Sequence, residues 1–345
     1  MPEHPYLDWP GPIPFAHRGG NRVAPENTMA AFEHAASLGF CYLETDVHRS
    51  ADGVLVAFHD ENLLRTCGLD ANIADLAWTQ IADLRVGGTE PIPRMLDLFE
   101  RFPEHRFNID CKADAALEPL VELINAQGAL DRVCIGSFSF KRLQTIRRRL
   151  GPGSLTCLSP IETICLLVFG RLPGTAQRAA QVPPGHGRIT LVSRRFVRNA
   201  RRAGIAVHVW TINDAAEIRR LLDLDVDGVM TDDVELLRSV YAERGVWASN
   251  TLANGQQPPP HPRHPRHPRH PRPTHPRCQH ETTHERNRNA PGESPSGAKP
   301  GRSASTNNSK LGQRLSPDFS HGAETPSSAT SAATVMHPLR IVSRA

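Results

Sequence analysis

The chain of 345 residues lacks a hydrophobic segment that is long enough to cross a bilayer. Its longest apolar run, residues 164–169, is far shorter than the roughly 20 residues that a spanning helix needs. The first five residues also lack the basic and then apolar pattern of a secretory signal peptide. These absences argue against the membrane-spanning and secreted classes, and we expect a soluble, cytoplasmic protein.

Cysteine pairs are missing as well. The chain has seven cysteines, an odd number, and no two of them form a C-x-x-C arrangement. Four of them fall within predicted strands, where a free thiol packs as a small apolar side chain: Cys41, Cys111, Cys134 and Cys157. We therefore expect neither disulfide bonds nor a structural zinc site.

The basic charge of the chain is concentrated near its C-terminus. Residues 256–345 carry 13 Lys and Arg against 5 Asp and Glu, whereas residues 1–255 carry 27 against 31. Four consecutive His-Pro-Arg triplets at 261–272 favour an extended backbone, because proline removes N–H donors and blocks helix formation. Few apolar side chains are available there to form a core.

We therefore predict a single folded domain at 13–247, preceded by an N-terminal segment at 1–12 and followed by a disordered tail at 248–345. The arginines of the tail could contact nucleic acid or an anionic membrane, and its histidines could bind transition metals. A solvated extension explains the composition more simply, and we predict no specific nucleic-acid partner.

Short apolar runs alternate with amphipathic stretches through the domain. We predict eight main strands and one short additional strand, near 13–16, 40–47, 107–111, 132–136, 154–158, 189–193, 205–210 and 227–230, with the additional one near 54–58. Helices are predicted near 27–38, 117–127, 139–149, 161–169, 194–203, 214–224 and 233–244. Asn27 can cap the first helix and Gly39 can end it. Eight such units in about 230 residues favour a closed (β/α)₈ barrel over an open sheet.

The stretch from Phe15 to Asp60 contains the side chains best suited to chemistry. In a strand over 41–47, Glu44 and Asp46 point to the same face, because side chains alternate along a strand. Two carboxylates on one face repel each other unless a cation lies between them, and oxygen ligands suit Mg²⁺ or Ca²⁺. An isolated E-x-D tripeptide, however, is more often a hydrated strand end.

A series of motifs occurs in a fixed order along the domain: His17-Arg18-Gly19, Pro25-Glu26-Asn27-Thr28, Glu44-Thr45-Asp46-Val47, Phe58-His59-Asp60, Asn108-Ile109-Asp110-Cys111-Lys112, Val209-Trp210-Thr211-Ile212-Asn213 and Asp227-Gly228-Val229-Met230-Thr231-Asp232. In these motifs, over about residues 13–244, the sequence resembles the glycerophosphodiester phosphodiesterase family. The resemblance implies a TIM barrel of the PI-PLC-like phosphodiesterase type. It also implies metal-dependent hydrolysis of glycerophosphodiesters to sn-glycerol 3-phosphate and an alcohol, in lipid and glycerol metabolism.

The resemblance further implies roles for five residues. His17 and His59 match the acid–base pair of the family, and imidazole titrates near the pH at which both roles are possible. We expect His17 to be the base and His59 the acid. Glu44, Asp46 and Asp110 are expected to hold the divalent metal cofactor, Mg²⁺ or Ca²⁺. Asp110 stands where the family usually has glutamate, and with its shorter side chain we expect it to reach the metal either through water or through a closer backbone.

Three other residues are candidates for binding the substrate. Arg18 and Lys112 suit phosphate oxygens, since guanidinium offers a planar fork and ammonium a compact charge. Both also serve as counter-charges to the carboxylates. Trp210 ends an apolar strand, where it either packs against a glycerol moiety or fills the barrel mouth. His48 and His208 are interpreted as structural.

Two alternatives use the same residues differently. The first is a phospholipase D of the sphingomyelinase type that acts on lysolipids, which shares the paired histidines and acidic metal ligands. The second is a non-catalytic barrel with a basic, anion-binding tail. A small-molecule glycerophosphodiester remains the substrate that the motifs favour, and in a barrel the chemistry is expected at the C-terminal ends of the strands.

Overall fold

A computed structural model of the chain describes residues 4–172, 177–186 and 189–248. Apart from Ala248, which is buried, the predicted disordered tail lies outside the described residues. Within the described part, no helix is long and apolar enough to cross a membrane.

Eight parallel strands form a closed barrel: β1 (Ile13–Ala16), β2 (Tyr42–Arg49), β3 (Arg106–Cys111), β4 (Val133–Gly136), β5 (Leu155–Cys157), β6 (Gln177–Val182), β7 (Ala206–Val209) and β8 (Gly228–Thr231). Each strand pairs with the next one along the chain, and β1 closes the ring by pairing with both β8 and β2. Each of the eight barrel strands is therefore paired on both sides. The predicted (β/α)₈ barrel is confirmed.

A helix follows each strand on the outside of the barrel: α1 (Met29–Ser37), α2 (Met95–Arg101), α3 (Leu117–Ala126), α4 (Phe140–Leu150), α5 (Pro160–Phe169), α6 (Arg194–Arg202), α7 (Ala215–Asp223) and α8 (Val234–Glu243). All except α2 match the predicted helices to within two residues at each end. Helix α2 follows a long insertion after β2, which contains the short antiparallel strand Leu55–Ala57, as predicted, and a small apolar core of its own.

The sixth barrel strand is not the predicted one. Residues 189–193 are not a barrel strand: Ile189–Thr190 forms a two-residue antiparallel pair with Gly185–His186. The barrel strand is instead Gln177–Val182, which pairs with β5 and β7. The prediction was wrong because Ile-Thr-Leu-Val has the composition of a strand, whereas Gln-Arg-Ala-Ala-Gln-Val does not.

Polar side chains in β6 have specific partners inside the fold. The amide groups of Gln181 and Asn108 on β3 exchange two hydrogen bonds, of 2.7 and 3.1 Å, across the barrel interior. Arg178 lies 3.6 Å from the buried Glu162 of α5. These pairings depend on residues far away in sequence, so the pattern of β6 alone could not reveal them.

The start of α1 also differs from the prediction. Thr28, not Asn27, is the N-cap, and its hydroxyl accepts a hydrogen bond from the N–H of Ala31. Asn27 has a left-handed backbone (φ 57°), and its amide donates to Asp46 at 3.0 Å. The predicted Asn27 cap is therefore wrong, because that side chain is used by the barrel. Gly39, with φ of 93°, follows the helix end as predicted.

The core has two layers, one inside the barrel and one between strands and helices. Phe15, Tyr42 and Met230 belong to the inner layer. At the N-terminal end of the barrel, Tyr6 is fully buried, and its carbonyl accepts a 2.6 Å hydrogen bond from the hydroxyl of Tyr42. The segment before β1 thus closes the bottom of the barrel, and the site described next lies at the opposite end.

Candidate active site

All eight predicted site residues line one cavity of about 480 Å³ at the C-terminal ends of the strands: His17, Arg18, Glu44, Asp46, His59, Asp110, Lys112 and Trp210. Four of the barrel strands, or the turns that follow them, supply seven of these residues, while His59 comes from the insertion after β2. The motifs are separated by up to about 190 residues in sequence, and barrel closure brings them together.

Strand β2 directs two carboxylates into the cavity. Leu43 and Val47 face the helices in the outer core layer, so Glu44 and Asp46 face the barrel interior, as the alternation of side chains predicts. Both are nearly inaccessible, with 5% and 2% exposure. Buried carboxylates require compensating charges or donors, and the neighbouring residues provide them.

His17 has a carboxylate near each of its ring nitrogens. Its Nδ1 lies 2.6 Å from Oδ1 of Asp232, and its Nε2 lies 3.7 Å from Oε2 of Glu44. Burial lowers the pKa of His17, but the charge of Glu44 and the hydrogen bond that Asp232 accepts from the ring outweigh it, so that the pKa is raised above its ordinary value. Asp232 follows β8 and is 215 residues away in sequence. It belongs to the last quoted motif, yet no role was predicted for it.

His59 has an analogous partner. Its Nδ1 lies 2.6 Å from Oδ1 of Asp60, and Arg65 donates to Oδ2 of the same carboxylate at 2.5 Å. Arg65 also donates to Glu26, which therefore links the insertion to the loop after β1. Burial raises the pKa of Asp60, but the hydrogen bonds from Arg65 and His59 together outweigh burial and lower the pKa to about 2. Sequence reasoning missed Asp60 and Arg65, although an aspartate directly after a histidine is a recognisable signal.

A tight turn presents Arg18 to the carboxylates. Its backbone is left-handed (φ 53°), and its N–H donates to Oε2 of Glu44 at 3.0 Å. The guanidinium lies 3.2 Å from Asp46 and donates to Glu26 at 3.0 Å. The next residue must be glycine, because Gly19 has φ of 79° and a Cβ there would lie 2.8 Å from the backbone nitrogen of Phe32.

Lys112 bridges two adjacent strands. Asp46 on β2 and Asp110 on β3 are register partners, and the ammonium lies 2.8 Å from the first carboxylate and 2.6 Å from the second. Burial opposes the charged form of Lys112, but the two carboxylates dominate and raise its pKa. The expected role of Lys112 as a counter-charge is thus visible in the structure, as it is for Arg18.

Glu44 carries the excess negative charge of the site. Burial raises its pKa to about 7, and although His17 opposes this shift, the charge of Asp46 adds to it. Its carboxylate accepts the N–H of Arg18, but among the described residues it has no ion pair with an ammonium or guanidinium as short as those of Asp46.

The three predicted metal ligands have donors of the right chemistry for a divalent ion. All are carboxylates, and Oδ1 of Asp110 is buried without a hydrogen-bond partner in the part of the chain that the structure describes. In the conformation described, no three His, Cys, Asp or Glu side chains among the described residues converge closely enough to hold a metal ion, and Lys112 lies between Asp46 and Asp110. The donor set fits such an ion, but its geometry is that of an ion-paired cluster.

The opposite wall of the cavity is apolar. Trp210 is half-buried after β7, with its indole edge-to-face with Phe138 at 6.2 Å between ring centroids. Leu158 and Ile164, which follow β5, also line the cavity. Of the two predicted roles for Trp210, filling the barrel mouth matches these contacts, and its place in the cavity suits contact with a substrate as well.

His48 and His208, which were interpreted as structural, are both buried and have hydrogen-bond partners within the fold. Nε2 of His48 lies 3.1 Å from the backbone carbonyl of His59. His208 is buried in the barrel interior, 3.3 Å from the amide of Gln181, and burial lowers its pKa to about 3. Neither residue lines the cavity.

Comparison with known proteins identifies relatives of this chain. The model of the glycerophosphoryl diester phosphodiesterase family matches residues 17–236. The chain is 36% identical over 251 residues to a probable glycerophosphodiester phosphodiesterase 2 of Mycobacterium tuberculosis, covering 70% of this chain and 95% of that protein. It is 29% identical over 265 residues to a lysophospholipase D of Homo sapiens, covering 65% of this chain and 84% of that protein.

Solved structures show the same fold. The glycerophosphodiester phosphodiesterase of Agrobacterium tumefaciens superposes with a TM-score of 0.56 at 26% identity, covering 66% of this chain and 98% of that one. A phosphodiesterase of Oleispira antarctica, solved in complex with the product sn-glycerol-3-phosphate, gives a TM-score of 0.57 at 24% identity and covers 67% and 97% of the two chains.

Proposed function

The chain belongs to the glycerophosphoryl diester phosphodiesterase family, and from that premise we propose that it hydrolyses glycerophosphodiesters to sn-glycerol 3-phosphate and an alcohol. One observation carries the proposal. His17 and His59 line the same cavity, and each has its Nδ1 on a carboxylate. A carboxylate on Nδ1 fixes the tautomer that leaves Nε2 for proton transfer.

The two imidazoles supply the proton transfers of a phosphodiester cleavage. A hydroxyl or water oxygen attacks phosphorus, and His17 as general base accepts its proton. The phosphorus–alkoxide bond breaks, and His59 as general acid protonates the leaving alcohol. The burial of His17 beside Glu44 supports its assignment as the base, and the greater exposure of His59 supports its place on the side from which the alcohol departs.

Arg18 and Lys112 are proposed to orient the phosphate. Both line the cavity with positive charge, and both are anchored by carboxylates on β2 and β3. Fixed donors lose little freedom when a phosphate oxygen replaces a carboxylate contact. Trp210, on the facing wall, is proposed to contact the glycerol moiety.

Glu44, Asp46 and Asp110 are proposed to hold a divalent cation, Mg²⁺ or Ca²⁺. When bound, such an ion polarises phosphoryl oxygens as a Lewis acid. The buried, unpartnered Oδ1 of Asp110 supports this proposal.

The test is a panel of glycerophosphodiesters assayed with each metal ion after chelation. We expect release of glycerol 3-phosphate and a fall in kcat of about 10²–10⁴-fold in His17→Ala and in His59→Ala. His34→Ala, on the outer helix α1 and outside the cavity, serves as the matched control and should keep full activity. Full turnover in either cavity variant would refute the assigned roles.

The same assay separates the alternatives. A lysolipid substrate that yields cyclic phosphate in place of glycerol 3-phosphate would indicate a phospholipase D of the sphingomyelinase type. Lack of turnover on every substrate, with an intact fold, would indicate the non-catalytic barrel.

A further inference from the structure

Helix α5 exposes a row of large apolar side chains. Ile161, Ile164 and Val168 recur at a spacing that places them on one face, and they are 56%, 57% and 55% exposed. Phe169 at the end of the helix is 70% exposed, and Phe138 at the cavity mouth is 66% exposed. Scattered exposed apolar residues are common, but a contiguous row of this kind marks a binding surface.

The row is continuous with the mouth of the active site. Ile164 and Phe138 line the cavity, so the apolar wall described above extends outward along α5. The orientation of the helix is fixed, because Ser159 and Glu162 form a capping box and Leu166 is fully buried on the opposite face. Because the inner face is held in this way, the apolar row is directed outward.

The helices on either side of α5 are strongly basic. Arg147 of α4 pairs with Glu162 of α5 at 2.8 Å, and α5 packs against α6 on its other side. Residues 137–202 contain 13 Lys and Arg and a single acidic residue, Glu162, whereas the rest of residues 1–255 contains 14 against 30. This stretch of sequence therefore holds nearly half of the positive charge of residues 1–255, whose remainder is acidic.

Much of this charge is available to an external partner. On α6, four exposed arginines have no ion-pair partner among the described residues: Arg194, Arg195, Arg198 and Arg202. On α4, the exposed Lys141 likewise has no ion-pair partner in the described part of the chain. Glu162 is buried in its ion pairs and does not offset these charges at the surface.

We propose that the face formed by α4, α5 and α6 binds the surface of an anionic lipid bilayer. Apolar side chains flanked by arginines match such a surface, since the former enter the interface and the latter contact lipid phosphates. An acidic protein partner would satisfy the arginines but not the apolar row. Docking by this face brings the mouth of the cavity against the membrane. The inference rests on the surface alone and not on the proposed reaction.

Vesicle co-sedimentation of the full chain tests the proposal. We expect binding to phosphatidylcholine vesicles that contain phosphatidylglycerol, and little binding to phosphatidylcholine alone or at high salt. The double variant Val168→Asp/Phe169→Asp should bind at least about tenfold more weakly. Arg198→Glu should weaken binding by at least about fivefold, the effect of one arginine near an anionic surface.

Arg238→Glu on the remote helix α8 is the matched control for Arg198→Glu and should bind like wild type. None of these residues lines the cavity, so turnover of a soluble glycerophosphodiester should be unchanged in every variant and reports an intact fold. Equal binding of all variants would overturn the proposal by assigning membrane affinity to another part of the chain. A dimer of the wild type that dissociates in Val168→Asp/Phe169→Asp, without a change in vesicle binding, would overturn it in favour of a second copy.

Discussion

Asp232→Asn is the substitution that tests most directly how the site positions its proposed base. The carboxylate of Asp232 lies 2.6 Å from Nδ1 of His17 and also accepts a hydrogen bond from Asn213. It does not line the cavity, so it acts on the substrate only through His17. An asparagine preserves the size of the side chain but removes its charge, and it can present an N–H to the ring in place of an acceptor.

The contact sets the size of the expected effect. A hydrogen bond that involves a charged partner contributes about 1.5–3 kcal/mol when it is not exposed to water. His17 and Asp232 are 13% and 19% exposed, so little of this energy is screened. If it is lost in the transition state, kcat falls by about 10–150-fold. KM should change little, because the groups that contact the substrate stay in place.

The assay is steady-state turnover of the preferred glycerophosphodiester, and Asp60→Asn is the matched comparison. His59 and Asp60 have the same 2.6 Å contact but are 33% and 26% exposed, and Arg65 holds the carboxylate from its other side. Loss of the contact between His59 and Asp60 is therefore expected to lower kcat by about fivefold or less. If Asp232→Asn stays within threefold of wild type while His17→Ala is inactive, Asp232 does not position the base.

Two further predictions concern ion pairs. In Lys112→Met, Asp46 and Asp110 face each other without an ammonium between them. We therefore expect the variant to have a lower Tm than wild type in chelator, and a larger rise in Tm when Mg²⁺ or Ca²⁺ is added. Equal melting curves of the variant with and without the ions would contradict the proposed metal site. In Glu162→Gln, loss of the buried pair with Arg147 should cost about 2–4 kcal/mol in the free energy of urea unfolding at neutral pH. Burial raises the pKa of Glu162, but its hydrogen bonds outweigh this effect, so the pKa in the folded state lies below the ordinary value. The stabilisation is therefore present above the ordinary carboxyl pKa, and the difference between wild type and variant should vanish as the pH falls through the folded-state pKa. A difference independent of pH would show that the charge of Glu162 is not what stabilises the fold.

The sequence predicted the fold wherever local pattern and tertiary environment agree. Seven helices and seven of the eight barrel strands combine apolar periodicity with ordinary capping and turn residues, and they lie where predicted. Strand β6 was not predicted, because the amide of Gln181 forms its hydrogen bonds across the barrel with Asn108, a contact that no local pattern encodes. The barrel strand predicted at 189–193 was wrong for the opposite reason. Its composition suits a strand, but Gln177–Val182 already occupies the sixth position in the barrel.

The site divides in the same way. Residues within short motifs, such as His17 and Glu44, could be selected from the sequence because residue type and spacing already suggest chemistry. The role of Asp232 could not be, because only barrel closure brings it to His17 across 215 residues. The bridging of Asp46 and Asp110 by Lys112 likewise depends on the register of two strands.

The charges at the barrel mouth explain why a cation and a phosphodiester would bind there together. Glu44, Asp46 and Asp110 face Arg18 and Lys112, so the cluster carries one negative charge in excess when all five are ionised. Burial raises the pKa of Glu44 to about 7, and the charge of Asp46 adds to this shift. An anionic phosphodiester that entered this cluster alone would meet net repulsion. If Glu44, Asp46 and Asp110 hold a divalent ion as proposed, its charge would reverse the sign of this sum and favour the ionised form of Glu44. Lys112 and Arg18 would then be free to share their donors with phosphate oxygens. Binding of the metal ion should therefore strengthen binding of the substrate, and affinity for an unreactive phosphodiester analogue should fall in parallel with removal of the ion.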